Sequence, residues 1–116
     1  MITEKEYSEF VASRLKNPED ISLTPEQKNL IHLAFGISGE AGELLDAIKK
    51  HCIYGKELDY VNVAEELGDL EFFMEAMRQH LQIQRKVLLS DNVYKLTKRY
   101  EKGYTDEQAI DRKDKS

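Results

Sequence analysis

The sequence predicts an all-α protein, a bundle of four to five helices. Three observations carry that expectation. Apolar residues recur at three- and four-residue steps, no segment alternates long enough to read as a strand, and the only prolines are Pro18 and Pro25. The first helix opens at Thr3, with Glu6 three residues on in the arrangement of a capping box. It carries Phe10, Val11 and Leu15 along one edge and runs to about Lys16, where Asn17-Pro18 stops it. Thr24-Pro25-Glu26-Gln27 supplies an N-cap, a proline at the first helical position and a capping-box glutamine, opening a second helix that reaches about Ile53 and ends near Gly55. Asp59 can cap a third helix from Tyr60 to about Leu81. No strong breaker lies between Gln82 and Asn92, so the next boundary rests on a short turn near residues 82–84 and a fourth helix from about Arg85 to Glu101. Gly103 can terminate it, Thr105 with Gln108 allows a last capped turn, and Asp111 to Ser116 reads as a frayed polar tail.

With 116 residues and no repeat, linker or low-complexity stretch, the chain reads as one domain spanning 1–116. Hydrophobic residues make up 41% and charged residues 34%, so a core requires the apolar positions to be concentrated on stripes. A net charge of -5 and a pI near 5.2 argue against a nucleic-acid coat, because phosphate backbones need a basic surface. Cys52 is the only cysteine, which excludes an intramolecular disulfide and a cysteine zinc cluster. Without an apolar run of about 18 residues or a charged-then-apolar leader, the expectation is a cytoplasmic protein that does not engage a membrane.

The most informative residues are two acidic pairs, Glu40-Ala-Gly-Glu43 and Glu66-Leu-Gly-Asp69. Spacing of i,i+3 puts both members of a pair on one helix face. On the second helix Ile37, Ala41, Leu44 and Ile48 form the apolar stripe, with Glu40 one turn before Leu44 and Glu43 about 60° round from Glu40. On the third helix Val63, Leu70, Phe73, Met74, Met77 and Leu81 form the stripe; Glu66 falls within it and Asp69 lies on its border. An isolated ionised carboxylate is costly beside a core, and a hard divalent cation bound through oxygens offsets that cost. Glycine precedes the second acid of each pair, Gly42 and Gly68, where it leaves room for a ligand or a neighbouring backbone. Glu65, Glu71 and Glu75 read instead as solvated helix residues.

At these positions the chain resembles the MazG-type all-α nucleoside triphosphate pyrophosphohydrolases, whose signature is an E-x-x-E pair followed by E-x-x-D. Gly39-Glu40-Ala41-Gly42-Glu43-Leu44-Leu45-Asp46 matches the first half and Glu65-Glu66-Leu67-Gly68-Asp69-Leu70 the second, with 22 residues between Glu43 and Glu66. Tyr54-Gly55-Lys56 and the block Asn92-x-x-Lys95-Leu96-x-x-Arg99-Tyr100 extend the likeness over about residues 25 to 112, while Glu101 stands where similar chains often carry proline. The resemblance implies that Glu40, Glu43, Glu66 and Asp69 bind Mg2+, with Mn2+ as a substitute, and that a nucleoside triphosphate is hydrolysed to the monophosphate and pyrophosphate. Glu43 and Glu66 are the catalytic candidates it suggests, with Glu43 taken as the acceptor of the water's proton. Asn92, Lys95 and Arg99 fall at i, i+3 and i+7 on one face of the fourth helix, and lysine and arginine suit phosphate oxygens. Lys56 is a further phosphate candidate, against the plainer reading of a surface lysine. The base and sugar accepted are not legible.

Two competing functions have different signatures. A di-iron bundle requires E-x-x-H pairs, and His32 and His80 lack that context. A non-catalytic helical oligomerisation or binding module with a structural ion remains the alternative. Cys52 beside His51 reads as a small packing residue, and Tyr104 as a staple for the last turn. Leu45 and Phe72 lie off the main stripes and need a second apolar surface, so a homodimer or homotetramer is expected, in keeping with the resemblance.

Overall fold

The computed structural model describes residues 1–101 and 103–111, apart from the side chain of Gln108. The expected capping role of Gln108 and the polar tail at 112–116 therefore lie outside the described residues. The described chain is helical: α1 (Glu4–Arg14), a 3-10 turn at Pro18–Asp20, α2 (Pro25–Cys52), α3 (Tyr60–Leu81), α4 (Arg85–Arg99) and α5 (Asp106–Asp111). The order is that of an all-α protein, and no sheet strand occurs among the described residues.

Local chemistry explains the boundaries. Thr24 accepts the Gln27 N–H at 3.1 Å while the Gln27 side chain accepts the Thr24 N–H at 2.9 Å, so the capping box closes in both directions. Thr3 accepts from the Glu6 N–H at 3.1 Å, and Asp59 accepts from the Asn62 N–H at 3.0 Å. Helix α1 ends two residues before Lys16 and α4 two before Glu101, because Leu15 and Tyr100 leave the helical backbone region. Between α3 and α4 the break is made by Gln82, which adopts the left-handed conformation at φ 57°. The N–H groups of Gln82 and Ile83 there close onto the carbonyls of Gln79 and Arg78.

Helices α2 and α3 form an antiparallel hairpin, the one extensive helix–helix packing among the described residues. Its register can be read from two contacts. The Asn29 amide donates to His80 Nδ1 at 2.9 Å. Seven residues further along α2 and seven back along α3, the ring of Phe73 lies directly against the backbone of Gly36. Leu33 and Ala47 are buried on α2, and Ile37, Leu44 and Ile48 are half-buried with Val63, Leu70, Phe73, Met74 and Met77 of α3. Ala41, expected in the stripe, is exposed, and Ala47 takes the buried place. Cys52 is also exposed, which removes its expected packing role.

This hairpin leaves much apolar surface in water. Phe35, Leu45 and Phe72 are 69%, 67% and 68% exposed. The radius of gyration is 20.4 Å, against about 13 Å for a compact chain of this length. No helix of the described residues is long and apolar enough to cross a membrane.

Candidate metal centre on the helical hairpin

The register of the hairpin places the acids. From the Gly36–Phe73 contact, one turn up α2 and one turn down α3 brings Glu40 opposite Asp69. Three residues beyond, Glu43 stands opposite Glu66. Oxygen atoms of Glu40, Glu66 and Asp69 all lie within 4.8 Å of one another, with Glu40 and Glu66 half-buried and Asp69 exposed. Glu43 is exposed and outside that group, although its charge is felt by Glu66.

The electrostatics of the cluster are those of a site short of positive charge. The Glu66 carboxyl is held above its ordinary pKa of 4.5, first by partial burial. Its hydrogen bond with Glu40 and the negative charges of Glu40, Asp69 and Glu43 act in the same direction. Two carboxylates within hydrogen-bond reach need a proton or a cation between them. Three converging carboxylates offer hard oxygen donors and no nitrogen or sulfur, a set that fits a hard divalent cation rather than a soft metal.

One turn beyond Glu43 and one turn before Glu66, at Ala47 and Asn62, a cavity of about 480 Å³ opens between the end of α2, the start of α3 and the connecting loop. Lys50, Tyr54 and Lys56 line it together with Glu57 and Asp59. Gly55, at φ 70°, lets the loop turn back. The Lys56 N–H then donates to the Lys50 carbonyl at 3.1 Å, and the Lys56 carbonyl accepts from His51 Nδ1 at 2.8 Å. The backbone of Lys56 is thus tied down at the rim of a cavity next to the acids. A larger open hollow of about 720 Å³ lies at the far end of α3, around Arg78, Gln82 and Arg85, away from the cluster.

Asn92, Lys95 and Arg99 share one face of α4, but α4 has no packing on the hairpin comparable to that of α2 on α3. None of the three is among the groups acting on Glu66. Asn92 and Lys95 are exposed, and Arg99 is half-buried with its guanidinium 5.7 Å from the Tyr100 ring centroid. Tyr104 packs on Tyr100 at 5.2 Å between centroids and donates its hydroxyl to Asp106 at 2.7 Å, a contact that braces the entry to α5.

Sequence reasoning missed one ionic group. Arg78 is buried on α3 and donates to Glu71 and Glu75, at 2.6 Å from Nη2 to each. Both acids remain half-exposed, so they are part solvated face and part counter-ion. Their spacing from Arg78, seven and three residues, was the available signal.

The family model for the MazG nucleotide pyrophosphohydrolase domain matches residues 28–104, which include the four acids, the loop with Lys56 and the basic face of α4. No curated protein and no solved structure matches the chain.

Proposed function

The chain belongs to the MazG nucleotide pyrophosphohydrolase domain family, and from that premise we propose that it is a Mg2+-dependent enzyme cleaving nucleoside triphosphates. The products are the nucleoside monophosphate and pyrophosphate. The observation that carries this reading is the convergence of Glu40, Glu66 and Asp69 from two antiparallel helices, with Glu66 held above its ordinary pKa. A cluster that resists full ionisation alone is completed by a cation.

Glu40, Glu66 and Asp69 would hold Mg2+, with Mn2+ able to replace it. The bound ion supplies positive charge that offsets the phosphate charge during the reaction. Glu43, exposed outside the cluster of three, is the residue we assign to take a proton from the attacking water. The water oxygen bonds to phosphorus, the α–β anhydride bond breaks, and its bridging oxygen leaves with the electron pair. In the cavity beside the acids, whose wall carries Glu57 and Asp59 as well as Lys50, Lys56 is the residue we assign to the anionic part of a nucleotide.

Asn92, Lys95 and Arg99 are proposed to meet phosphate oxygens as well. Because α4 lacks extensive packing on its own hairpin, we assign its placement to a homodimer or homotetramer in which a second copy contributes to the nucleotide pocket. The biological setting that fits this chemistry is removal of surplus or unwanted nucleotides from the cytoplasmic pool. A panel of standard and modified NTPs and dNTPs with Mg2+, read as pyrophosphate and monophosphate released, tests the proposal and identifies the base and sugar. No Mg2+-dependent turnover of any member would leave the non-catalytic oligomerisation module in its place.

A further inference from the structure

We infer that Gly36 and Phe73 act as the spacer that sets the separation of α2 and α3 one turn from the acids, and so tune the site toward a small cation. The inference rests on the metal reading above, and Gly36 and Phe73 are positioning residues in it. A Cβ built on Gly36 would lie 2.5 Å from Phe73 Cε1 and 2.6 Å from Cγ, well inside ordinary carbon–carbon contact. The atoms struck are in the body of the ring, and Cγ is fixed close to the α3 backbone. The Phe72 and His32 rings stand nearly perpendicular to the Phe73 ring, at 5.2 Å and 6.4 Å between centroids. The other helical glycines near the acids, Gly39, Gly42 and Gly68, have nothing within 4 Å of such a Cβ. The close approach is therefore confined to one level of the hairpin.

The position of that level links it to the acids. Asn29 and His80 are joined at 2.9 Å seven residues back along α2, about 10 Å away at the helical rise. Glu40 and Asp69 lie one turn in the other direction, about 6 Å away. Restoring normal contact at a new Cβ needs a displacement of about 1 Å. The helices are joined on the acid side by residues 53–59, about 24 Å beyond Gly36 at the helical rise, so with that end held the wedge opens them by about 0.7 Å at Glu40 and Asp69. Mg2+ demands oxygens at about 2.0–2.1 Å in a near-octahedral array, whereas Ca2+ accepts about 2.3–2.6 Å and irregular geometry. The span across the ion grows by less than about 1 Å between the two, so an opening of this size works against Mg2+ first. Alanine is the better helix former, so a loss at this position does not come from helix propensity.

The test is direct ion binding to nucleotide-free protein, with free Mn2+ followed by electron paramagnetic resonance and Mg2+ or Ca2+ added as competitors. Gly36→Ala is expected to weaken Mg2+ binding by about tenfold while Ca2+ changes by less than about threefold. Gly36→Ala/Phe73→Leu, which returns the space, should bring Mg2+ binding back to within about twofold of wild type. Equal weakening of both ions, or no change in either, overturns the spacer. If Gly36→Ala does not fold, the double variant decides: one that folds no better or binds Mg2+ no better also overturns it. A wild-type protein that binds none of the three ions overturns the metal reading and this inference with it, an outcome distinct from a wild type that binds Mg2+ while the variant keeps the same preference.

Discussion

Replacing Phe72 by aspartate puts a charge at the centre of the surface that the hairpin leaves uncovered. The chain exposes 9879 Å², whereas a compact 13.5 kDa monomer exposes about 6,500 Å². The excess of about 3,400 Å² exceeds the ~800 Å² per partner that a standard interface buries, and is of the size seen in obligate oligomers. Phe72, 68% exposed on α3, is among the largest apolar groups in that excess. Covering a phenylalanine side chain is worth about 1.5–3 kcal/mol. In a two-fold contact the residue counts twice, so Phe72→Asp should cost about 3–6 kcal/mol per dimer, before any cost of burying the new charge. That corresponds to a dissociation constant weakened by roughly 10²–10⁴. Sedimentation at micromolar concentration reads this directly. Wild type should run at twice the 13.5 kDa chain mass or more, and Phe72→Asp should shift toward a single chain with reduced helicity by circular dichroism. A wild-type species of 13.5 kDa that is fully active would refute both the oligomer and the shared pocket.

Other expected outcomes address the site itself. Glu66→Gln should abolish turnover while leaving the metal-free melting temperature at neutral pH unchanged or higher. A raised folded pKa means stability present below the unfolded value and lost as pH rises through the folded one, so the glutamine's advantage should vanish on acidification. Retained activity in both Glu43→Gln and Glu66→Gln would remove these residues from the mechanism. For Glu75 the sign is opposite: hydrogen bonds from Arg78 and then Gln79 hold it below 4.5, giving stability present above the unfolded value and lost as pH falls through the lowered one. Thermal melts of Glu75→Gln and wild type should therefore differ at neutral pH and converge at the acid end. Lys95→Ala or Arg99→Ala should lower kcat/KM by about tenfold with an unchanged melting temperature; unchanged kinetics with a lower melting temperature would make both structural.

What was legible in the sequence is what is local in the chain. Thr24, Gln27 and Asp59 announce the starts of α2 and α3 because a cap is a contact across three residues. Two i,i+3 pairs on helices able to fold back on each other led to one site of four acids being expected; Glu40, Glu66 and Asp69 converge, and Glu43 stands outside them. The turn at Gln82 carried no such mark, since a glutamine rarely takes a left-handed backbone and its selection there depends on the Arg78 and Gln79 carbonyls behind it. The glycines told a similar story. Gly42 and Gly68 were expected to leave room for a ligand or a neighbouring backbone; no neighbouring atom fills that room, and the close approach occurs at Gly36, where it depends on which α3 residue lies opposite. The relation of α4 to the acids was illegible for a further reason: it is not decided within one hairpin.

The α2–α3 register also has a kinetic meaning. All the acids and the Lys56 cavity belong to two helices joined by residues 53–59 alone, so the contacts that gather them close a short loop and involve no other segment. Pairings of low sequence separation form early, while association of chains is slower and depends on concentration. In the proposed oligomer the acidic cluster would then be assembled in the nascent hairpin before its apolar flank is covered by a second copy. On that reading mutual repulsion opposes the hairpin during the interval, and a divalent cation captured there would act as a folding ligand, lengthening the lifetime of the single chain before it associates.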